Sequence, residues 1–225
     1  MKKMTILAIL LFTGMSYSYS QYKVSNGVNY SQSLQIDSSD YYFIGNYISK
    51  ANKSKYNFTN RESYEGYTPQ NLVFSNILIQ HIPTKKIVKM FPAGLFAIYP
   101  ILNTVSMNKY DYGYGYIQRG LYSGMSDKHL IYLAKSDEFN SDGMIDEDDP
   151  VGLYISTKKG ENFKQLTATN MHVTSWTLSK DSKTIIIVVQ EDRNNDKKFN
   201  DEDEAIYQID LTQDIPKMKL SLVSF

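Results

Sequence analysis

Val173-Thr-Ser-Trp-Thr-Leu178, Ser179-Lys-Asp-Ser-Lys183 and Thr184-Ile-Ile-Ile-Val-Val-Gln190 follow one another without a break in this 225-residue chain. The two outer runs are rich in β-branched and aromatic residues, which suit a pleated surface better than a helix. The five residues between them are small, polar or charged, as a tight turn requires. Together they read as a β-hairpin. Ile185 to Val189 is apolar at every position, so neither face of that strand is marked for water. Such a run is expected inside a stack of sheets.

The same punctuation recurs outward from the hairpin. Strands are expected at Tyr41–Ile48, Leu72–Ile82, Lys86–Phe91, Leu95–Ile101, His129–Lys135, Leu153–Thr157, Phe163–Thr167, Ile206–Leu211 and Met218–Phe225. No window sustains a capped 3.6-residue apolar stripe. The fold class is therefore all-β. Aligned strand by strand, residues 39–225 form one β-repeat domain of three blade-like units, about 41–92, 95–167 and 173–225. Each unit reads as an antiparallel meander. The Gly/Tyr-rich stretch within 103–122 reads as an insertion or mobile hairpin, and 49–70 is similarly polar. Propellers have roughly four to eight blades, so the expectation is a partial or irregular propeller, with another stacked-sheet fold as the alternative.

The chain opens Met1-Lys2-Lys3, continues with an apolar run from Ile6 to Phe12, and places Ser18-Tyr19-Ser20 after it. That order reads as a signal peptide at 1–20 and an exported protein, periplasmic or extracellular. The run falls short of the roughly 20 residues that span a bilayer, and no later stretch reads as a transmembrane helix. Residues 21–38 are a linker or a first edge strand. The absence of cysteine removes disulfides, thiol chemistry and zinc–cysteine sites. Acids and bases balance at 24 each. Loss of Lys2 and Lys3 leaves a slightly acidic chain, and bulk charge offers nothing to nucleic acid.

The distribution of acids says more than their sum. Seven lie in 137–149 and seven in 191–204, over half of the 24. Like charge clustered this way needs solvent or a cation. Glu138 to Asp149 and Asp192 to Asp203 share the pattern [DE]-x-N-x-D-x-x-[IF]-[DN]-x-x-D. Oxygens at positions 1, 3, 5, 7, 9 and 12 are what a calcium-wrapping loop presents. The first loop offers Glu138, Asn140, Asp142, the Met144 carbonyl, Asp146 and Asp149. The second offers Asp192, Asn194, Asp196, the Lys198 carbonyl, Asn200 and Asp203. Gly143 stands at position 6, where the chain turns sharply. Lys197 replaces that glycine in the second loop, which predicts strain and a cation near the site. Ile145 and Phe199, both at position 8, are expected to point inward. The cofactor expected is Ca2+, structural, with weak affinity on the order of 10⁻⁴–10⁻³ M.

Two resemblances follow from these residues. The loops resemble those of EF-hands and dockerins, but their flanks here are strands, so only the ligand geometry is carried over. Leu153-Tyr154-Ile155-Ser156, Gly160-Glu-Asn-Phe163-Lys-Gln-Leu166-Thr167 and Ser175-Trp176-Thr-Leu178-Ser179-Lys-Asp181-Ser-Lys-Thr-Ile185 resemble the repeat of TolB-type, WD40-like β-propellers. The resemblance covers about 35 residues. It departs at Ser182, where those repeats usually have Gly, and in carrying the acidic loop. It implies a secreted or periplasmic scaffold that binds protein partners.

Chemistry of other kinds is thinly marked. His81, His129 and His172 lack metal-type spacing and read as strand histidines. There is no G-x-S-x-G and no phosphate-binding glycine loop. Trp176 is expected as an anchor between sheets. The function expected is that of an exported, non-catalytic, calcium-binding propeller-like protein with a binding or scaffolding role, its partner another envelope or extracellular protein. The alternatives are a secreted carbohydrate-active hydrolase using loop carboxylates and a metal-free envelope structural protein.

Overall fold

The structure is a computed structural model and describes residues 29–30, 33–37, 39–47, 56–57, 74–99, 123–136, 139–146, 148–199 and 204–223. The signal peptide expected at 1–20, the insertion at 103–122 and nearly all of 49–70 lie outside them. The strands are β1 (Asn29–Tyr30), β2 (Leu34–Gln35), β3 (Tyr41–Tyr47), β4 (Tyr56–Asn57), β5 (Phe74–His81), β6 (Lys86–Lys89), β7 (Phe96–Ile98) and β8 (Gly124–Met125). They continue with β9 (His129–Ser136), β10 (Ile145–Asp146), β11 (Val151–Thr157), β12 (Lys164–Gln165), β13 (Met171–Leu178), β14 (Thr184–Glu191), β15 (Glu204–Asp210) and β16 (Ser221–Leu222). One turn of 3-10 helix, Ile215–Lys217, is the other regular element described. The fold is all-β, and every strand expected from the sequence is found at least in part. Part of 21–38 takes the edge-strand option, since β1 and β2 both pair with β3.

The third unit is the meander expected. β13, β14, β15 and β16 form a four-stranded antiparallel sheet in chain order. The first two units do not separate into two sheets. A ten-stranded sheet runs β1-β3-β5-β7-β9-β11-β12, with β2 on β3, β6 on β5 and β8 on β9. The joint is β7, where Ile98 pairs with Phe74 of β5 and with Ala134 of β9. Phe96, Ala97 and Ile98 are all buried. A short strand with no wet face gains by hydrogen-bonding along both edges.

Two cores lie between the layers. The first holds Phe43, Ile77, Ile79, Met90, Phe91 and Ile98 against Leu130, Tyr132, Ala134 and Tyr154. The second holds Ile131, Leu133, Val151, Leu153 and Ile155 against Val173, Ile185, Ile187, Val189, Ile209 and Met218. β9 and β11 therefore bury both faces by alternation, even residues into one core and odd into the other. They form the middle layer of a three-layer stack, which does not close into a ring among the described residues. Tyr132 is fully buried and joins its hydroxyl to Ser156 Oγ at 2.8 Å.

The Ile185–Val189 run behaves differently from the expectation. Ile185, Ile187 and Val189 are buried, but Ile186 is 44 % exposed. β14 belongs to the last layer, with no described sheet beyond it, so one face is dry and the other meets water. The strands buried on both sides are β9 and β11. Trp176 does join layers as expected. It packs against the second core, and a Cβ placed on buried Gly124 of β8 would stand 2.6 Å from its Cη2. Only glycine allows that approach.

The β13–β14 turn explains the departure at Ser182. Ser179 Oγ accepts the Thr184 and Lys183 N–H groups at 2.9 and 3.2 Å and donates to Asp181 Oδ1 at 2.7 Å. This closes the turn with Ser182 at φ +56°. Left-handed backbone costs a non-glycine residue roughly 1–2 kcal/mol, and glycine's unfolded-state entropy offsets part of that. Ser182→Gly is expected to raise the unfolding free energy by about 0.5 kcal/mol in urea melts. A loss of stability counts against this account of the turn.

Candidate metal centre at the paired acidic loops

The first acidic loop leaves β9 and returns to β11; the second leaves β14 and returns to β15. They therefore rise from the two sheets that enclose the second core. Ring contact joins them, Phe139 to Phe199 at 5.1 Å. Lys197 Nζ reaches across to Ser141 Oγ at 3.4 Å. Two segments far apart in sequence form one acidic surface.

The short polar side chains shape each loop by capturing backbone amides. In the first, Asn140 Oδ1 accepts the Asp142 N–H at 3.1 Å and Asp142 Oδ1 accepts the Met144 N–H at 2.7 Å. Asn140 Nδ2 donates to Asp142 Oδ2 at 3.2 Å. Asp146 Oδ1 accepts the Asp148 N–H, and Asp149 Oδ2 accepts the Asp146 N–H, both at 2.9 Å. The turn passes through Gly143 at φ +77°, as its place in the pattern predicted. Ile145 is fully buried against Ala97. A parallel bridge from β10 to β4 pairs it with Tyr56. Its inward role at position 8 was legible; its strand partner was not.

In the second loop, Asp192 is only 3 % exposed. Its two oxygens accept the Asp196 and Lys197 N–H groups, both at 3.1 Å. Asn194 Oδ1 accepts the Asp196 N–H at 3.0 Å and Asp196 Oδ1 the Lys198 N–H at 2.9 Å. Lys197 holds φ +61°, the strain expected where glycine is replaced. Phe199 is half-buried against Phe139 and against His172 at 5.4 Å, so its anchor is the other loop and a strand edge. Glu138, Asn200 and Asp203 of the expected ligand sets lie outside the described residues.

Lys135 was missed by the sequence reading. It is 4 % exposed and donates from Nζ to the Asp149 carbonyl at 2.7 Å and the Asp146 carbonyl at 2.8 Å. The ammonium thus ties positions 9 and 12 of the first loop to its own strand. The signal was a lone lysine inside an otherwise apolar run that ends where an acidic loop begins.

Asp149 is the unusual group. It is 0 % exposed, and its Oδ1 has no hydrogen-bond partner among the described residues. Burial pushes its carboxyl up to about 6, the Asp146 amide and Lys135 pull it back, and the nearby Asp146 and Asp142 carboxylates push further. A buried, half-satisfied carboxylate facing two others is costly without a cation. Among the described residues, no three His, Asp or Glu side chains form a group that could hold a metal. A calcium site of this pattern draws also on carbonyl and amide oxygens and on position 1. The oxygens of Asn140, Asp142, Asp146 and Asp149 fit a hard cation in kind, and the unpartnered Asp149 Oδ1 fits it in need.

The histidines serve the strands. His172 Nδ1 accepts the Val151 N–H at 3.2 Å, which fixes a neutral ring with its proton on Nε2. Burial, then Lys135, lowers its pKa to about 4. His129 lies beside Ser126, and burial followed by Lys128 and Lys158 lowers its pKa. His81 stacks on Tyr41 at 4.5 Å.

No family model and no curated protein matches the chain. Among solved structures, the chain is similar to dipeptidyl peptidase 4 of Porphyromonas gingivalis, with a TM-score of 0.38 and 11% identity. The match covers 86% of this chain and 30% of that one, so the chain spans under a third of that protein's length. A likeness at this level assigns no activity to the chain.

Proposed function

We propose that the protein is an exported, non-catalytic calcium-binding β-sheet protein whose paired loops act as metal-filled staples between two sheets, in a binding or scaffolding role toward another envelope or extracellular protein. The observation that carries the reading is Asp149 Oδ1, buried without a partner in a loop of calcium-type spacing. Asn140, Asp142, the Met144 carbonyl, Asp146 and Asp149, with Glu138, would hold the ion of the first loop. Asp192, Asn194, Asp196, the Lys198 carbonyl, Asn200 and Asp203 would hold that of the second. The ion would neutralise clustered carboxylates and fix both connections. Because Phe139 and Phe199 touch, fixing the loops also fixes one sheet against the other. The described carboxylates are bound to backbone amides at the loop turns, which supports a structural use over an acid–base one.

Calorimetric titration with Ca2+ and melts with and without chelator test this. Calcium at about 100 times its Kd is expected to stabilise by about 2.7 kcal/mol per site. Asp149→Asn keeps an oxygen for the Asp146 N–H and removes the buried charge. It is expected to lose the calcium response of the first loop with no loss of stability in chelator. Asp192→Ala is less clean, since that carboxylate already holds two amides. Absence of calcium heat together with identical melts sinks the proposal.

A further inference from the structure

We propose that a cavity on the middle layer, beside the first acidic loop, is a binding site for a neutral sugar ring. The cavity is about 320 Å3 and opens where β9, β11 and β12 end near Phe139 and Pro150. That volume stands at the small end of ligand pockets, roughly 300–1,000 Å3, and suits one or two rings. Gly152 forms its floor. A Cβ there would stand 3.1 Å from Tyr154 Cε2 and 3.3 Å from Gln165 Nε2, so a ring edge and an amide converge over the bare backbone.

Tyr154 points to a ligand. It is 6 % exposed and lines the cavity, and its hydroxyl, which solvent still reaches, makes no hydrogen bond among the described residues. Buried tyrosines ordinarily satisfy that group. The fully buried Tyr132 does so on Ser156. The side chains of Gln165, Ser136 and Thr169 also line the cavity and make no hydrogen bond among the described residues. Four uncommitted polar groups thus face one space.

Their chemistry selects the ligand class. None of the lining side chains among the described residues is charged, and against these an ionised ligand would lose water without gaining a counter-charge. Hydroxyls and a carboxamide each donate and accept, as do the hydroxyls of a sugar. Phe139 and Pro150 offer apolar surface to the C–H face of such a ring. Among the described lining residues there is no carboxylate pair of the kind that glycoside cleavage uses, and the proposal is one of binding. The inference stands apart from the calcium reading, since none of these four polar residues belongs to the metal sets.

The test is titration of the isotope-labelled protein, in calcium buffer, with glucose, galactose, mannose, N-acetylglucosamine and cellobiose, followed by amide NMR. Glucuronate serves as the charged control and N-acetylphenylalanine amide as an apolar one. At least one neutral sugar is expected to shift the Gly152, Gln165 and Thr169 amides with millimolar saturation. Tyr154→Phe, which keeps the ring and its packing, is expected to weaken binding about tenfold. Gln165→Ala, at an exposed site, is expected to weaken it several-fold with the fold intact. No saturable shift by any neutral sugar overturns the proposal. So does equal binding of glucuronate, preferential binding of the phenylalanine amide, or shifts indifferent to both substitutions.

Discussion

Replacing Lys135 by Met is expected to lower the unfolding free energy by about 3 kcal/mol, in calcium and in chelator alike. The Lys135 ammonium holds the carbonyls of Asp146 and Asp149 at 2.8 and 2.7 Å in a site that is 4 % exposed. A hydrogen bond to a charged donor contributes about 1.5–3 kcal/mol net. Both of these bonds are lost, and the carbonyl of buried Asp149 is left without that donor. Against this, Met no longer carries a charge that must leave water. Its stem fills the aliphatic path at similar volume, so little is lost from packing. The ammonium also offsets the Asp149 charge, and that help disappears as well. A urea melt measures the difference. A loss under about 1 kcal/mol would mean that water or another donor replaces the ammonium, and that the strand-to-loop tie is dispensable.

Lys135 also marks where reading the chain stops short. Strand positions were legible because alternation and turn residues are local signals. The turn glycine at 143 and the inward Ile145 were legible for the same reason, being fixed within twelve residues of spacing. Layer membership was not local. Ile185–Val189 and Leu130–Ala134 are both apolar throughout, yet one has a wet face and the other none. The difference lies in how many sheets stack on each, which no window reports. The joining of two expected units through β7 depends on Phe74 meeting Ile98 across a long connection. The Phe139–Phe199 contact and the Lys135 tie are likewise tertiary. Sequence spacing identified the loop oxygens as a set. Only the fold brings the loops together and leaves Asp149 Oδ1 without a partner.

Acid is expected to expose the metal by a reversal in slope. Below pH 6.5 an unfolded histidine takes up a proton, whereas His172, held near 4 by burial and by Lys135, does not until about pH 4. Its share of stability is complete above pH 6.5 and is lost as pH falls toward 4, on the order of 3 kcal/mol in all. Asp149 has the opposite sign. Its folded pKa of about 6 lies above the 3.8 of the free group, so the folded state binds the proton more tightly. Its ionisation costs stability above pH 6, and that cost is relieved as pH falls toward 4, again on the order of 3 kcal/mol. In chelator the two shares oppose each other, so the slope of unfolding free energy from about pH 6.5 to 4.5 is expected to be shallow, with a further loss on acidification from His129, whose pKa burial also lowers. Calcium reverses the Asp149 share, because an ion on Oδ1 favours the carboxylate. The calcium-loaded protein is then expected to lose stability steadily across the same window, with both groups pulling in one direction. Two variants in chelator separate the shares. Asp149→Asn removes the offset and is expected to become acid-sensitive through His172 and His129. His172→Gln keeps an acceptor for the Val151 N–H and is expected to gain stability on acidification through Asp149. Stability curves that are parallel with and without calcium would show that no cation meets Asp149, and would leave its buried oxygen to be explained by something other than a metal.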